Sequence, residues 1–258
     1  MEGYTYAPLN LDEPAFRLIR LFAGSKLPLQ CELVHALLTP GDAMDYEAVS
    51  YTWVQQMATI YGQAERVLVW LGTSTHEMDL AMCALIELQA FYKDLKWIPQ
   101  DNQAVGAWKS LQKKTFQDRN GPIYRGIKRI FDQPWFRRVW ILQEVRNARR
   151  ASIYCGKHSV SSTLFCSAPF LFGIDVDPHC QAVLDLMPGS PARPDKQSPC
   201  RDFLTLLRQF RNAKATVEHD HIYALLGLSP KQRILDVSYE MPISEVISEL
   251  YSSKSISN

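Results

Sequence analysis

The sequence is poor in the features that announce a compartment or a ligand. Its six cysteines (Cys31, Cys83, Cys155, Cys166, Cys180 and Cys200) are scattered, with no CxxC pair among them. Reduced thiols in a cytoplasmic protein are expected, not a disulfide framework. No apolar run approaches the roughly 18 residues that a membrane span needs. Met1 to Asn10 has neither the basic flank nor the apolar core of a secretory signal. Charge of one sign is also lacking: the formal net charge is +1, which asks for neither nucleic acid nor an anionic membrane as a partner. Glycine-rich phosphate loops of the Rossmann or P-loop kind are absent. What is present is an ordinary globular composition, 47% hydrophobic and 21% charged, in a chain long enough for one large α/β domain with or without an extension.

Hydrophobic periodicity divides the chain. Phe16–Phe22 and Leu29–Leu38 read as strands, punctuated by Gly24 and by Pro40-Gly41. Tyr46–Trp53 alternates, with Val49, Tyr51 and Trp53 on one side. From Val54 the period becomes helical (Met57, Ile60, Tyr61, Ala64), and the spacing predicts a helix to about Glu65. Val67–Leu71 is wholly apolar, as in a parallel strand covered on both faces. A long helix is predicted over Glu77–Lys96, with Thr75 as its cap, then a helix opened by Pro122 and one helix over Trp135–Ala148. Trp135, Val139 and Leu142 are expected to be buried. Ser152–Cys155 is a short strand. Gly173–Pro199 holds five prolines and reads as loop with one helical turn at Gln181–Leu186. Helices follow at Arg201–Ala213 and Asp220–Leu226, the second stopped by Gly227 in a left-handed cap, before a frayed Ser-rich tail after Tyr251. Strands separated by helices predict an α/β layered core.

Four stretches, in this order, carry a resemblance. They are Tyr46-Glu47-Ala48-Val49-Ser50-Tyr51-Thr52-Trp53, then Gln55–Tyr61 running into Val67-Leu68-Val69-Trp70-Leu71-Gly72. The third is Pro134-Trp135-Phe136-Arg137-Arg138-Val139-Trp140-Ile141-Leu142-Gln143-Glu144-Val145, followed by Ile153-Tyr154-Cys155-Gly156. The last is Asp220-His221-Ile222-Tyr223-Ala224-Leu225-Leu226-Gly227-Leu228. Together they resemble the fungal heterokaryon-incompatibility (HET) domain family. Two departures accompany the likeness. Val54 stands after Trp53 where the family has glycine, and the family's extended nucleotide-binding-like region has no counterpart here. The chain passes from Trp53 into a predicted helix with no turn residue between them, so a domain lacking its central segment is expected. An uncovered strand edge would result.

The resemblance implies a fold and a chemistry. The domain would be residues 1–172, followed by a Pro-rich loop over 173–200 and a helical extension over 201–258. HET domains are distantly similar to TIR domains, which implies a TIR-like or flavodoxin-like, mostly parallel sheet with flanking helices. Some TIR domains cleave NAD⁺ at the nicotinamide–ribose bond with one glutamate. By that likeness Glu144 is the candidate catalytic residue, and Ser50, Trp53 and Trp140 the candidates for holding the nucleotide. A fixed carboxylate can stabilise the positive charge that develops on the ribose. NAD⁺ would be a substrate, and no cofactor is required. The opposing reading makes Glu144 a solvated helix residue paired with Arg137 or Arg138. The family role implied is nonself recognition and programmed cell death, through a protein partner or self-association. Hydrolase, interaction module and inert truncation stay open.

Other groups invite simpler readings. Glu218-His219-Asp220-His221 lacks further ligands at metal-site spacing. Cys155 with His158 has the residue types of a nucleophile and its base, but Cys155 ends an apolar strand and reads as a core residue. Arg137, Arg138, Arg146, Arg149 and Arg150 read as the solvated face of one helix. Trp53, Trp70, Trp135 and Trp140 read first as core volume.

Overall fold

The computed structural model describes residues 15–21, 31–37, 46–49, 57–94, 120–193, 203–228 and 237–255. Ser50, Trp53 and the Trp53–Val54 junction lie outside them. Strands β1 (Ala15–Leu21) and β2 (Cys31–Leu37) form a separate antiparallel pair, in which Arg20 faces Glu32 and bonds to it. The second sheet has the order β3 (Glu47–Val49), β4 (Arg66–Trp70), β5 (Ala151–Cys155), β6 (His158–Ser161). β3, β4 and β5 are parallel, and β6 returns antiparallel. The fold is mixed α/β, and the second sheet is itself mixed.

Helix α1 (Met57–Gln63) lies in the crossover between β3 and β4, as its apolar spacing requires. Tyr46 pins this unit: its hydroxyl donates to the Ile60 carbonyl at 2.5 Å, and its own carbonyl accepts from Glu65 N at 3.0 Å. Val67 and Val69 of β4 are wholly buried, whereas Trp70 is 49% exposed. β4 is therefore sealed on one face, not both, and Trp70 is not core volume.

Between β4 and β5 the chain builds α2 (His76–Asp94) and α3 (Pro122–Phe131). Thr75 caps α2, its hydroxyl accepting from Met78 N at 3.4 Å. Met78, Ala81, Met82, Leu85 and Leu88 form the buried stripe of α2. α3 packs closely against it through Gly126. Arg125 and Arg129 each bond the Glu77 carboxylate at 2.7 Å and hold that carboxyl below its usual range.

The single helix expected over Trp135–Ala148 is broken in two. A 3-10 turn (Pro134–Arg137) is followed by extended backbone at Arg138, and α4 spans only Ile141–Asn147. The break is fixed from outside. Val139 N donates to the Lys214 carbonyl at 3.0 Å, and Lys214 N donates back to the Arg137 carbonyl. Those bonds hold Arg138 extended, which local periodicity cannot reveal. Trp135, Val139 and Leu142 are buried as expected.

After the β5–β6 hairpin come two helices, one unpredicted and one foreseen as a single turn. α5 (Ser162–Phe172) is capped by Ser161 and closed by Gly173 at φ 61°. α6 (Pro178–Leu186) opens inside the segment expected to be loop, and residues 194–200 of that segment lie outside the described residues. Asp177 caps α6, its carboxylate accepting from His179 N at 3.0 Å and Cys180 N at 3.2 Å, with Pro178 in the first turn. The last helices are α7 (Phe203–Gln209), α8 (Asp220–Leu226) and α9 (Ile243–Ser255). Gly227 ends α8 with φ −68°, so the left-handed cap is absent, and the tail expected to fray from Tyr251 stays helical to Ser255. Buried apolar side chains from Met57 to Leu250 form one cluster.

His179 gives this core a pH dependence. It is 3% exposed; Nε2 lies 2.9 Å from the Phe136 carbonyl, and Nδ1 has no partner among the described residues. Nε2 is therefore the protonated nitrogen of a neutral ring, and burial holds the group below its ordinary value. Unfolded, the ring titrates near 6.5, so below that pH the unfolded chain takes up a proton that the folded chain does not. Stability should fall as pH drops from about 6.5 and level off once the folded group is protonated, at no more than about 1.4 kcal/mol per pH unit. Urea unfolding of the wild type and His179→Gln across this window measures it. Identical pH profiles would remove His179 as the cause.

Candidate functional site

Glu144 sits in the first turn of α4, and it is wholly buried. Its backbone N–H reaches the Trp140 carbonyl at 3.5 Å, and Trp140 is 5% exposed. Trp140 thus stands one helical turn before Glu144, joined to it by that backbone bond. The solvated alternative is not met: Arg138 is exposed on the extended break, and Arg137 bonds Asp177 at 2.9 Å. The basic run is likewise not one solvated face, because Arg146 is buried and Arg149 and Arg150 follow the helix.

Two neighbours that sequence reasoning passed over fix α4. Gln143, 4% exposed, donates its amide to the Ala224 carbonyl at 2.9 Å and the Tyr223 carbonyl at 3.3 Å. It thereby ties α4 to α8, and a Cβ at Gly227 would meet the same amide at 2.6 Å. Arg193 spans the other end of α4: its guanidinium reaches the carbonyls of Val145, Arg146 and Ala148 at 3.3, 2.6 and 2.9 Å. Those are the carbonyls a helix C-terminus leaves open. A polar glutamine in an aromatic helix, and an arginine among prolines, were the signals available.

The other groups separate cleanly. Tyr239 donates to Asp220 at 2.8 Å, and His219 Nε2 lies 2.7 Å from the Met241 carbonyl, so these two hold residues 239–241 against α8. His221 and Glu218 rim an apolar cavity of about 330 Å³ between α7, α8 and α9. Among the described residues no group of three potential ligands could hold a metal. Cys155 is fully buried and its thiol is pushed up to about 11, mainly by burial. His158 is its cross-strand neighbour, but the ring lies by a different thiol, with Nε2 3.9 Å from Cys83 Sγ and 3.5 Å from Asp79 Oδ1.

The stretch from β3 to Glu144 therefore carries a buried Trp–Glu pair on a short helix beside a parallel β–α–β unit. Residues 47–144 match the family model described as Heterokaryon incompatibility protein (HET). This segment is similar to the HET family. Over 197 residues the chain is 24% identical to Heterokaryon incompatibility protein 6, OR allele, of Neurospora crassa. That alignment covers 69% of this chain and 29% of the relative, so the chain spans under a third of the relative's length. No solved structure matches. The matched segment begins on β3 and ends at Glu144, so Gln143 and Glu144 are its last two residues. No helix among the described residues is long and apolar enough to cross a membrane.

Proposed function

We propose that this chain acts in heterokaryon incompatibility as an interaction module: its HET segment recognises a protein partner or a second copy of itself, in the cytoplasm, and signals cell death without cleaving NAD⁺. The observation that carries this reading is the complete burial of Glu144. A glutamate that stabilises a ribosyl cation must touch the ribose, and here the carboxylate is closed off inside the core. Trp140 and Gln143, both buried beside it in the chain, are positioned as packing and anchoring residues of α4. The name of the Neurospora relative supports the biological setting.

The competing reading is the TIR-like hydrolase. It is favoured by the three parallel strands with α1 in the first crossover, and by the Trp140–Glu144 spacing. In that reading Ser50, Trp53 and Trp140 hold the nucleotide, Glu144 acts on it, and α4 must open first. Nicotinamide release from NAD⁺ separates the two. The wild-type chain and Glu144→Gln are both expected to release none above buffer. Release by the wild type that falls by orders of magnitude in Glu144→Gln would replace the interaction reading with the hydrolase.

A further inference from the structure

The fold treats its thiols unequally. Cys155, Cys166 and Cys180 are buried, and burial pushes each thiol up, Cys155 to about 11, Cys180 to about 12 and Cys166 further in the same direction. Cys166 and Cys180 also donate to the carbonyls of Leu184 and Phe131. These are core residues with little access to thiolate chemistry. Cys31 and Cys83 are exposed. Among the described residues, Cys83 is the one of these two within reach of an imidazole, its Sγ lying 3.9 Å from His158 Nε2.

The surroundings of that imidazole are built from rigid elements. Asp79 stands one turn before Cys83 on α2, and its Oδ1 is 3.5 Å from the same Nε2. Ser74 donates to that carboxylate oxygen at 2.6 Å. His158 opens β6 directly after the two-residue turn at Gly156, where φ is 55° and a Cβ would lie 2.1 Å from Ser74 Oγ. The hairpin, the start of α2 and the thiol are thus locked together by close contacts. A proton on Nε2 would face both the sulfur and the carboxylate.

We propose that Cys83 is the reactive thiol among the described cysteines, with His158 as its proton acceptor and Asp79 as the positioning residue and counter-charge, and that it takes soft electrophiles of the low-molecular-weight disulfide class. In the reaction His158, as the tautomer with its proton on Nδ1, takes the Cys83 S–H proton on Nε2, and the imidazolium so formed has the Asp79 carboxylate beside it. The thiolate attacks one sulfur of the disulfide, and the disulfide's S–S bond breaks as the Cys83 mixed disulfide forms. The departing half leaves as a thiolate and collects the proton from His158. The oxidation of the Cys83 sulfur is balanced by the reduction of the leaving sulfur to a thiol, so the disulfide itself is the oxidant.

The test uses the folded full-length chain with glutathione disulfide, and in parallel iodoacetamide, each at limiting concentration. Mass spectrometry of the cysteine peptides reads the rate at each site, with exposed Cys31 as the internal reference. Cys83 should react about tenfold faster than Cys31. His158→Gln should bring the ratio close to one while the rate at Cys31 is unchanged, and Asp79→Asn should lower the ratio in the same direction. In guanidinium the two rates should converge in every variant, because the advantage belongs to the fold. Equal rates at Cys83 and Cys31 in the folded wild type would overturn the proposal. So would an unchanged ratio in His158→Gln or, if that variant fails to fold, in Asp79→Asn.

Discussion

Phe136→Ala is expected to cost the fold about 3–5 kcal/mol, a large share of the 5–15 kcal/mol that holds a typical domain together. Phe136 is 1% exposed in the 3-10 turn between α3 and α4. Its ring meets Trp135 edge-on at 5.1 Å and Phe131 at 5.9 Å, and lies nearly parallel to Phe165 at 6.3 Å. Three elements therefore converge on one side chain, and its carbonyl is the partner of buried His179. Truncation leaves a void that aromatic neighbours on separate helices cannot all collapse to fill. Chemical denaturation should show a lower midpoint with an unchanged slope. A loss below about 1 kcal/mol would show that these rings are peripheral to the cooperative core.

Gly126→Ala, a change of one methyl group, is expected to destabilise by about 1–3 kcal/mol, towards the upper end. A Cβ there would lie 2.0 Å from the Glu77 carbonyl oxygen and 2.6 Å from its carbon, and 2.9 Å from Ala81 Cβ. The first two are backbone atoms of α2, so no side chain can swing aside; α2 and α3 must move apart. That separation would also stretch the bonds from Arg125 and Arg129 to Glu77. Those ion pairs are half-exposed and contribute little by themselves, so the loss should persist at high salt. Alanine ordinarily favours a helix interior over glycine by about 1 kcal/mol. A variant more stable than the wild type would mean that the helices have room to spare and that only propensity matters.

How much of this was legible in the sequence depended on whether the controlling interaction was local. The amphipathic stripe of α2, the proline start of α3 and the apolar strand β4 are set by residues within a turn or two, and each was read with nearly correct bounds. α5 was missed because its residues are apolar on every side and it contains Pro169, so no period stands out and a breaker does. α6 was reduced to one turn because five prolines outweighed Asp177-Pro178, a helix-start signal. The break after Arg137 depends on Lys214, far along the chain. The candidate site divides the same way. The Trp140–Glu144 spacing is local and was visible, but the burial of Glu144 is a property of the whole core. The sequence sets His158 beside Cys155, whereas the thiol it approaches is Cys83 on another element.

The parallel pairing of β4 with β5, Val67 opposite Ala151, sets where this protein can be cut. A fragment that stops at Glu144 would keep every motif up to the glutamate yet remove the strand against which β4 is zipped. It would also sever α4 after its first turn and discard the Tyr223 and Ala224 carbonyls that hold Gln143. Such a fragment would display an open β4 edge and the raw inner face of α4, and would associate with whatever strand or apolar surface it met. Expression boundaries drawn at the end of the motif would then report the stickiness of a broken sheet as though it were recognition. Boundaries placed beyond Leu250 keep β5, β6, α8 and the α9 side chains that complete the core in place, and binding measured on that piece would belong to the folded protein.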